Sequence, residues 1–98
     1  MICRIWSALA NSPADADSYQ HVFETSVLAD LRGIDGFRGA YLLRDDLEVR
    51  TLTMFDSLDA IRAFAGTDYE RAHVTPQAQA FLAEYDRRVW HYSVAVST

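Results

Sequence analysis

Thr51-Leu52-Thr53-Met54-Phe55-Asp56-Ser57-Leu58-Asp59-Ala60-Ile61-Arg62-Ala63-Phe64-Ala65-Gly66 reads as a strand that stops at Asp56-Ser57 and turns directly into a helix ending at Gly66. Leu58, Ile61, Phe64 and Ala65 fall on one helical face, and Asp59 sits in the first turn, where a carboxylate suits the helix dipole. Asp59 and Arg62 are three apart, a spacing that allows an ion pair.

Working backward, Gly36 marks a turn, and Phe37 to Arg44 predicts a strand with Phe37, Tyr41 and Leu43 on one side. Asp45-Asp46 is a polar reversal before a strand over Leu47 to Phe55, so these two strands form a hairpin. Further back, Ile2 to Leu9 predicts the first strand. Ser12-Pro13-Ala14-Asp15 then opens a helix. Ser12 can cap the first turn, Pro13 fits the first helical position, and Asp15 favours the dipole. Tyr19, Val22, Phe23, Val27 and Leu31 form its apolar stripe, and Gly33 is a natural stop.

Working forward, Thr67 to Val74 is irregular. Thr75-Pro76 repeats the capping logic of Ser12-Pro13 and predicts a third helix, with Ala78, Phe81, Leu82 and Tyr85 as its stripe and Arg87-Arg88 closing it. Val89 to Val96 predicts the last strand. The order β-α-β-β-α-(α)-β is the α+β, ferredoxin-like split βαβ plan, an antiparallel sheet with helices on one face. A one-sided sheet alternates apolar and polar residues. In the last strand both parities carry apolar residues, with Val89, His91, Ser93 and Ala95 on one side and Trp90, Tyr92, Val94 and Val96 on the other. This predicts a second face covered by another subunit.

The totals agree with a single domain over residues 1–98. Half the residues are hydrophobic and 12% are aromatic, rich enough in a chain this small to suggest apolar surface shared with a partner. The net charge is -5 and all nine basic residues are Arg, so a nucleic-acid footprint is not expected and an anionic membrane would repel the chain. No segment approaches the ~18 apolar residues of a membrane span. Met1-Ile2-Cys3-Arg4 runs straight into a strand pattern without a leader-like apolar run. Cys3 is the only cysteine, which fits a reducing compartment. A cytoplasmic protein is the expectation.

Arg4-Ile5-Trp6 in the first strand, Gly36-Phe37-Arg38-Gly39-Ala40 at the second, the Phe55 to Gly66 stretch, Asp68-Tyr69-Glu70 and His91-Tyr92 together resemble the antibiotic biosynthesis monooxygenase-like (ABM) family of dimeric α+β-barrel proteins. The resemblance covers nearly the whole chain. It implies a homodimer with facing sheets, and in each subunit a pocket between sheet and helices for a small molecule. The family includes oxygenases that oxidise phenolic polyketides with no metal or flavin cofactor, haem-degrading enzymes and isomerases, so fold does not set function. The haem-degrading branch uses an Asn in the first strand, a Trp in the second helix and a His near the third. Here Trp6 stands at the Asn position and Phe64 in the helix that would carry the Trp, leaving His73 alone in place. Haem degradation is not expected.

His73 is the best candidate for a proton acceptor, since histidine can take a proton at neutral pH and this one lies where a pocket mouth would be. The alternative is a solvent-exposed loop histidine. Trp6 is suited either to stacking on a flat aromatic ligand or to plain core packing. Tyr41 and Tyr69 offer a hydroxyl beside an apolar ring, and Phe64 a further aromatic wall for substrate. Arg50 can stabilise an enolate or form an ion pair. His91 and Trp90 fit a pocket or a dimer interface equally. His21 and Glu24 are three apart with no third ligand nearby, so no metal site is expected. No Gly-rich phosphate loop, G-x-S-x-G elbow or C-x-x-C pair is present. The reading is a cofactor-independent monooxygenase acting on a small aromatic or enolisable molecule. The alternative is a non-oxidative binding protein, isomerase or lyase on the same dimer.

Overall fold

The computed structural model describes all residues from Met1 to Thr98. Strand β1 (Ile2–Ala10) leads to helix α1 (Pro13–Val22), a π-helical turn (Phe23–Val27) and helix α2 (Leu28–Arg32). Strands β2 (Phe37–Asp45) and β3 (Glu48–Phe55) form the hairpin, followed by helix α3 (Leu58–Ala65), the single turn α4 (Pro76–Gln79), and strands β4 (Leu82–Tyr85) and β5 (Trp90–Ser93). The sheet is antiparallel throughout, in the order β2-β3-β1-β4, with β5 also on β1. Because β3 occupies one edge of β1 from Ile2 to Leu9, β4 and β5 share the other edge. They are two halves of one broken strand, and the plan is the ferredoxin-like one.

The strand-to-helix stretch behaves as its residues dictate. Ser57 Oγ accepts from the Ala60 N–H at 3.2 Å, and Gly66 ends α3 at φ 87°, where a side chain would be strained. Gly36 has φ 92°, and a Cβ there would meet Ala60 Cβ at 3.0 Å. Its carbonyl accepts from Asp56 N at 2.8 Å. Arg38 and Asp56 then close a two-pronged ion pair over the same corner, at 2.6 Å for each prong, which holds the Asp56 carboxyl below its usual range.

Three sequence expectations need correction. The third helix stops after one turn at Gln79, and Leu82 to Tyr85 is strand. The ladder pairs Ala8 with Tyr85, Leu9 with Glu84 and Ala10 with Leu82, so Ala83 is an extra, bulged residue. That insertion moves Tyr85 back onto the face of Leu82 and turns a two-residue strand period into the three-residue spacing of a helix. Second, β5 spans only Trp90–Ser93. Val94 N–H still reaches the Met1 carbonyl at 2.9 Å, and the ladder goes no further. Third, Phe37 pairs with Phe55 and Gly39 with Met54. The bulge at Arg38 therefore puts Phe37 on the opposite face from Tyr41 and Leu43.

The helices cover one sheet face. Against them β1 turns Arg4, Trp6, Ala8 and Ala10, and β3 turns Val49, Thr51, Thr53 and Phe55, all buried. Phe55, Leu31 and Ile61 form a dry cluster under α2 and α3; each such side chain contributes roughly 1.5–3 kcal/mol by burial. The other face is bare and apolar. Tyr41, Leu52, Ile5 and Trp90 lie in one row across four strands, and Tyr92 lies in the next, opposite Cys3. Tyr41 is 62% exposed, Trp90 57% and Tyr92 59%. No helix is long and apolar enough to cross a membrane.

Candidate functional site

A cavity of about 290 Å³ opens between the covered sheet face and the helices. Trp6, Tyr19, Phe23 and Phe64 supply aromatic wall, and Arg4, Thr51 and Thr53 its polar floor. The π-helical turn shapes one side: Val22, Phe23, Ser26 and Val27 all line the space. The segment from Ala72 to Ala78 forms the rim. It is held by a small ribbon, with Ala72 N bonded to Arg87 O at 2.8 Å and Val89 N to Glu70 O at 2.7 Å. This ribbon lies at the break between β4 and β5.

Trp6 is buried, and its indole N–H donates to the Asp86 carbonyl at 2.8 Å. Its ring lies 5.9 Å from that of Tyr19 and 6.3 Å from that of Tyr85. Trp6 is thus core on one side and cavity wall on the other. Phe64 packs 6.0 Å from Phe55 and also faces the cavity. His73 is exposed and lines the cavity, which places it at the lip.

The remaining candidates lie elsewhere. Tyr41 is on the bare sheet face, away from the cavity. Tyr69 stands behind the floor: its carbonyl accepts from Arg4 Nη1, its ring meets His91 edge-on at 5.3 Å, and the Arg62 guanidinium lies 5.3 Å above it. Arg50 is exposed and 3.8 Å from Glu48. Trp90 and His91 part company, as neighbours on a strand must. Trp90 joins the bare face, and His91 turns inward opposite Arg4.

Arg4 is the residue that sequence reasoning passed over. It is 8% exposed, and burial lowers its pKa to about 10. Its position two residues before Trp6 was the available signal, since the two must share a sheet face. Tyr19 is similar; burial pushes its phenol well up, so its hydroxyl stays a neutral donor.

No protein-family profile and no curated protein matches the chain. Solved structures do. SnoaB, a cofactor-independent oxygenase from Streptomyces nogalater, superposes with a TM-score of 0.64 at 19% identity, over 98% of this chain and 94% of its own. The ActVA-Orf6 monooxygenase of Streptomyces coelicolor, solved with nanaomycin D, gives 0.71 at 15% identity over 99% and 89%. MhuD, solved with manganese protoporphyrin IX, gives 0.70 at 14% over 100% and 98%. These identities speak to architecture alone, and the architecture they share with this chain is the ferredoxin-like one.

Proposed function

We propose that this protein is a cofactor-independent monooxygenase that oxidises a small aromatic or enolisable molecule held in the cavity. The carrying observation is the cavity itself: an aromatic-lined space with a buried cationic floor and an exposed histidine, His73, at its lip. A flat polyketide-type phenol suits walls made of Trp6, Tyr19, Phe23 and Phe64. The same fold in SnoaB, a cofactor-independent oxygenase, supports the reading.

In this scheme His73 removes the phenol or enol proton, and the apolar walls exclude water from the resulting anion. The anion passes one electron to O2, and the radical pair combines to a peroxide at carbon. Loss of water from the peroxide leaves a carbonyl. One oxygen atom enters the substrate as the new carbonyl oxygen, the other leaves as water with the proton first taken by His73 and the hydrogen of the oxidised carbon, and the substrate supplies all four electrons that O2 accepts. The bare face carrying Tyr41, Trp90 and Tyr92 suits a second copy of the chain, giving a homodimer of facing sheets.

Oxygen consumption with a panel of polycyclic phenols and hydroquinones tests the proposal. Uptake of one O2 per quinone formed is expected. Conversion or binding without oxygen uptake would instead select a non-oxidative binding protein, isomerase or lyase. One observation favours that second reading: His73 makes no hydrogen bond to a carboxylate that would orient it as a base.

A further inference from the structure

Arg4 is a buried cation with no anion beside it. The five ion pairs of the protein engage Arg38, Arg44, Arg50, Arg62 and Arg88. Arg4 instead has two neutral partners, the Tyr69 carbonyl and His91 Nε2, both reached from Nη1. The nearby acid Glu70 is taken by Arg88 at 2.7 Å. Nε and Nη2 make no hydrogen bond within the protein, yet no enclosed polar side-chain atom lacks a partner. These two donors are therefore open to space, and the residue lines the cavity. A guanidinium cannot shed its charge as lysine can, and an uncompensated buried charge is strongly unfavourable. Asp30, the one carboxylate on the cavity wall, is exposed and is no ion-pair partner of Arg4.

We propose that Arg4 is the anion-binding group of the cavity, and that the ligand is an apolar, aromatic body carrying one ionised oxygen acid, a carboxylate or a phenolate, set on Nε and Nη2. Those two donors form the edge of the guanidinium that takes carboxylate oxygens in parallel. The Tyr19 hydroxyl, which has no partner in the protein, and Thr51 add neutral donors on the same cavity. The inference rests on the cavity being the ligand site, as proposed above, and not on oxygen chemistry.

Calorimetric titration under anaerobic conditions separates the two. The probes are 2-naphthoate against its uncharged methyl ester, and 1-naphthol above its pKa against 1-methoxynaphthalene. Wild type is expected to prefer 2-naphthoate over the ester at least about tenfold, and Arg4→Met to bring that ratio near one. The naphthol pair tells whether a phenolate serves as well as a carboxylate. A wild-type ratio near one, a ratio that survives in R4M, or failure of both probes to bind overturns the proposal. Should R4M fail to fold by circular dichroism, Arg4→Gln, which keeps donors for Tyr69 O and His91, carries the same two outcomes. Loss of oxygen uptake with every phenol while the naphthoate ratio holds removes the oxygenase and leaves the anion site.

Discussion

Arg4 Nη1 stands 3.0 Å from His91 Nε2 across the β1–β5 pair. A guanidinium offers only donors, so Nε2 must accept, and His91 is neutral with its proton on Nδ1. The contact ties the cavity floor to the last strand and holds Arg4 with Nε and Nη2 free.

This geometry predicts a pH dependence. Burial first, and the Arg4 charge second, lower the pKa of His91, while Glu70 opposes them. The edge-on Tyr69 ring completes its surroundings. The folded state thus resists a proton that the unfolded state accepts. The stability concerned is present above the ordinary histidine value of 6.5 and is lost as pH falls from there through the depressed folded value. Urea midpoints across about pH 4 to 8 should show this descent, and His91→Gln should remove that part of it. An identical profile in both proteins would rule out His91 as its source.

Trp6 predicts a difference between two truncations. Trp6→Phe keeps most of the wall but leaves the Asp86 carbonyl without its donor, a loss of about 1–3 kcal/mol. Trp6→Ala also opens a hole between Tyr19 and Tyr85, raising the loss to about 3–5 kcal/mol. Denaturant unfolding measures both. Equal losses would mean that the hydrogen bond, and not the ring packing, carries the contribution of Trp6.

How much of this was readable from residues alone follows from where local chemistry and register agree. The Phe55 to Gly66 corner was legible because each signal is local: a strand parity, a capping serine, a glycine at positive φ. The Leu82 strand was not, because a single bulged residue, Ala83, gave it a helix's spacing. Trp6 and Phe64 drew notice because large aromatics stand out in a sequence, and both line the cavity. Arg4 did not, since an arginine in a strand ordinarily lies on an exposed parity, and only its two-residue offset from Trp6 tied it to the covered one. Phe37 was read on the same side as Tyr41 because the bulge at Arg38, which sets the two apart, has no signature in side-chain type.

The bare sheet face predicts self-association. Tyr41, Leu52, Ile5 and Trp90 form a continuous row, and large exposed apolar patches mark interaction surfaces. Trp90→Glu and Tyr41→Glu each place a carboxylate in the middle of that patch. Sedimentation should give a dimer for the wild type at micromolar concentration and a shift toward monomer for either variant. Because both side chains are already exposed, the fold itself should tolerate the change. A monomeric wild type at that concentration would contradict the facing-sheet arrangement.

His73 offers the sharpest separation between positioning and chemistry. Its side chain is exposed and makes no hydrogen bond that holds the fold, so His73→Ala should leave the melting midpoint where it is. Yet a general base contributes about 10²–10⁴-fold to a proton transfer, so the rate of oxygen consumption at saturating substrate should fall by at least about 10². Binding of the naphthoate probe, which depends on Arg4 and the walls, should be unchanged. Two further readouts tell a base from a mere rim residue. Added imidazole should restore part of the rate in His73→Ala, and a substrate supplied as its preformed phenolate at high pH should make the variant and the wild type converge. If His73→Ala keeps the wild-type rate, the proton must leave by another route, and the polar groups within reach of the cavity are then Tyr19, Thr51 and water entering past the rim.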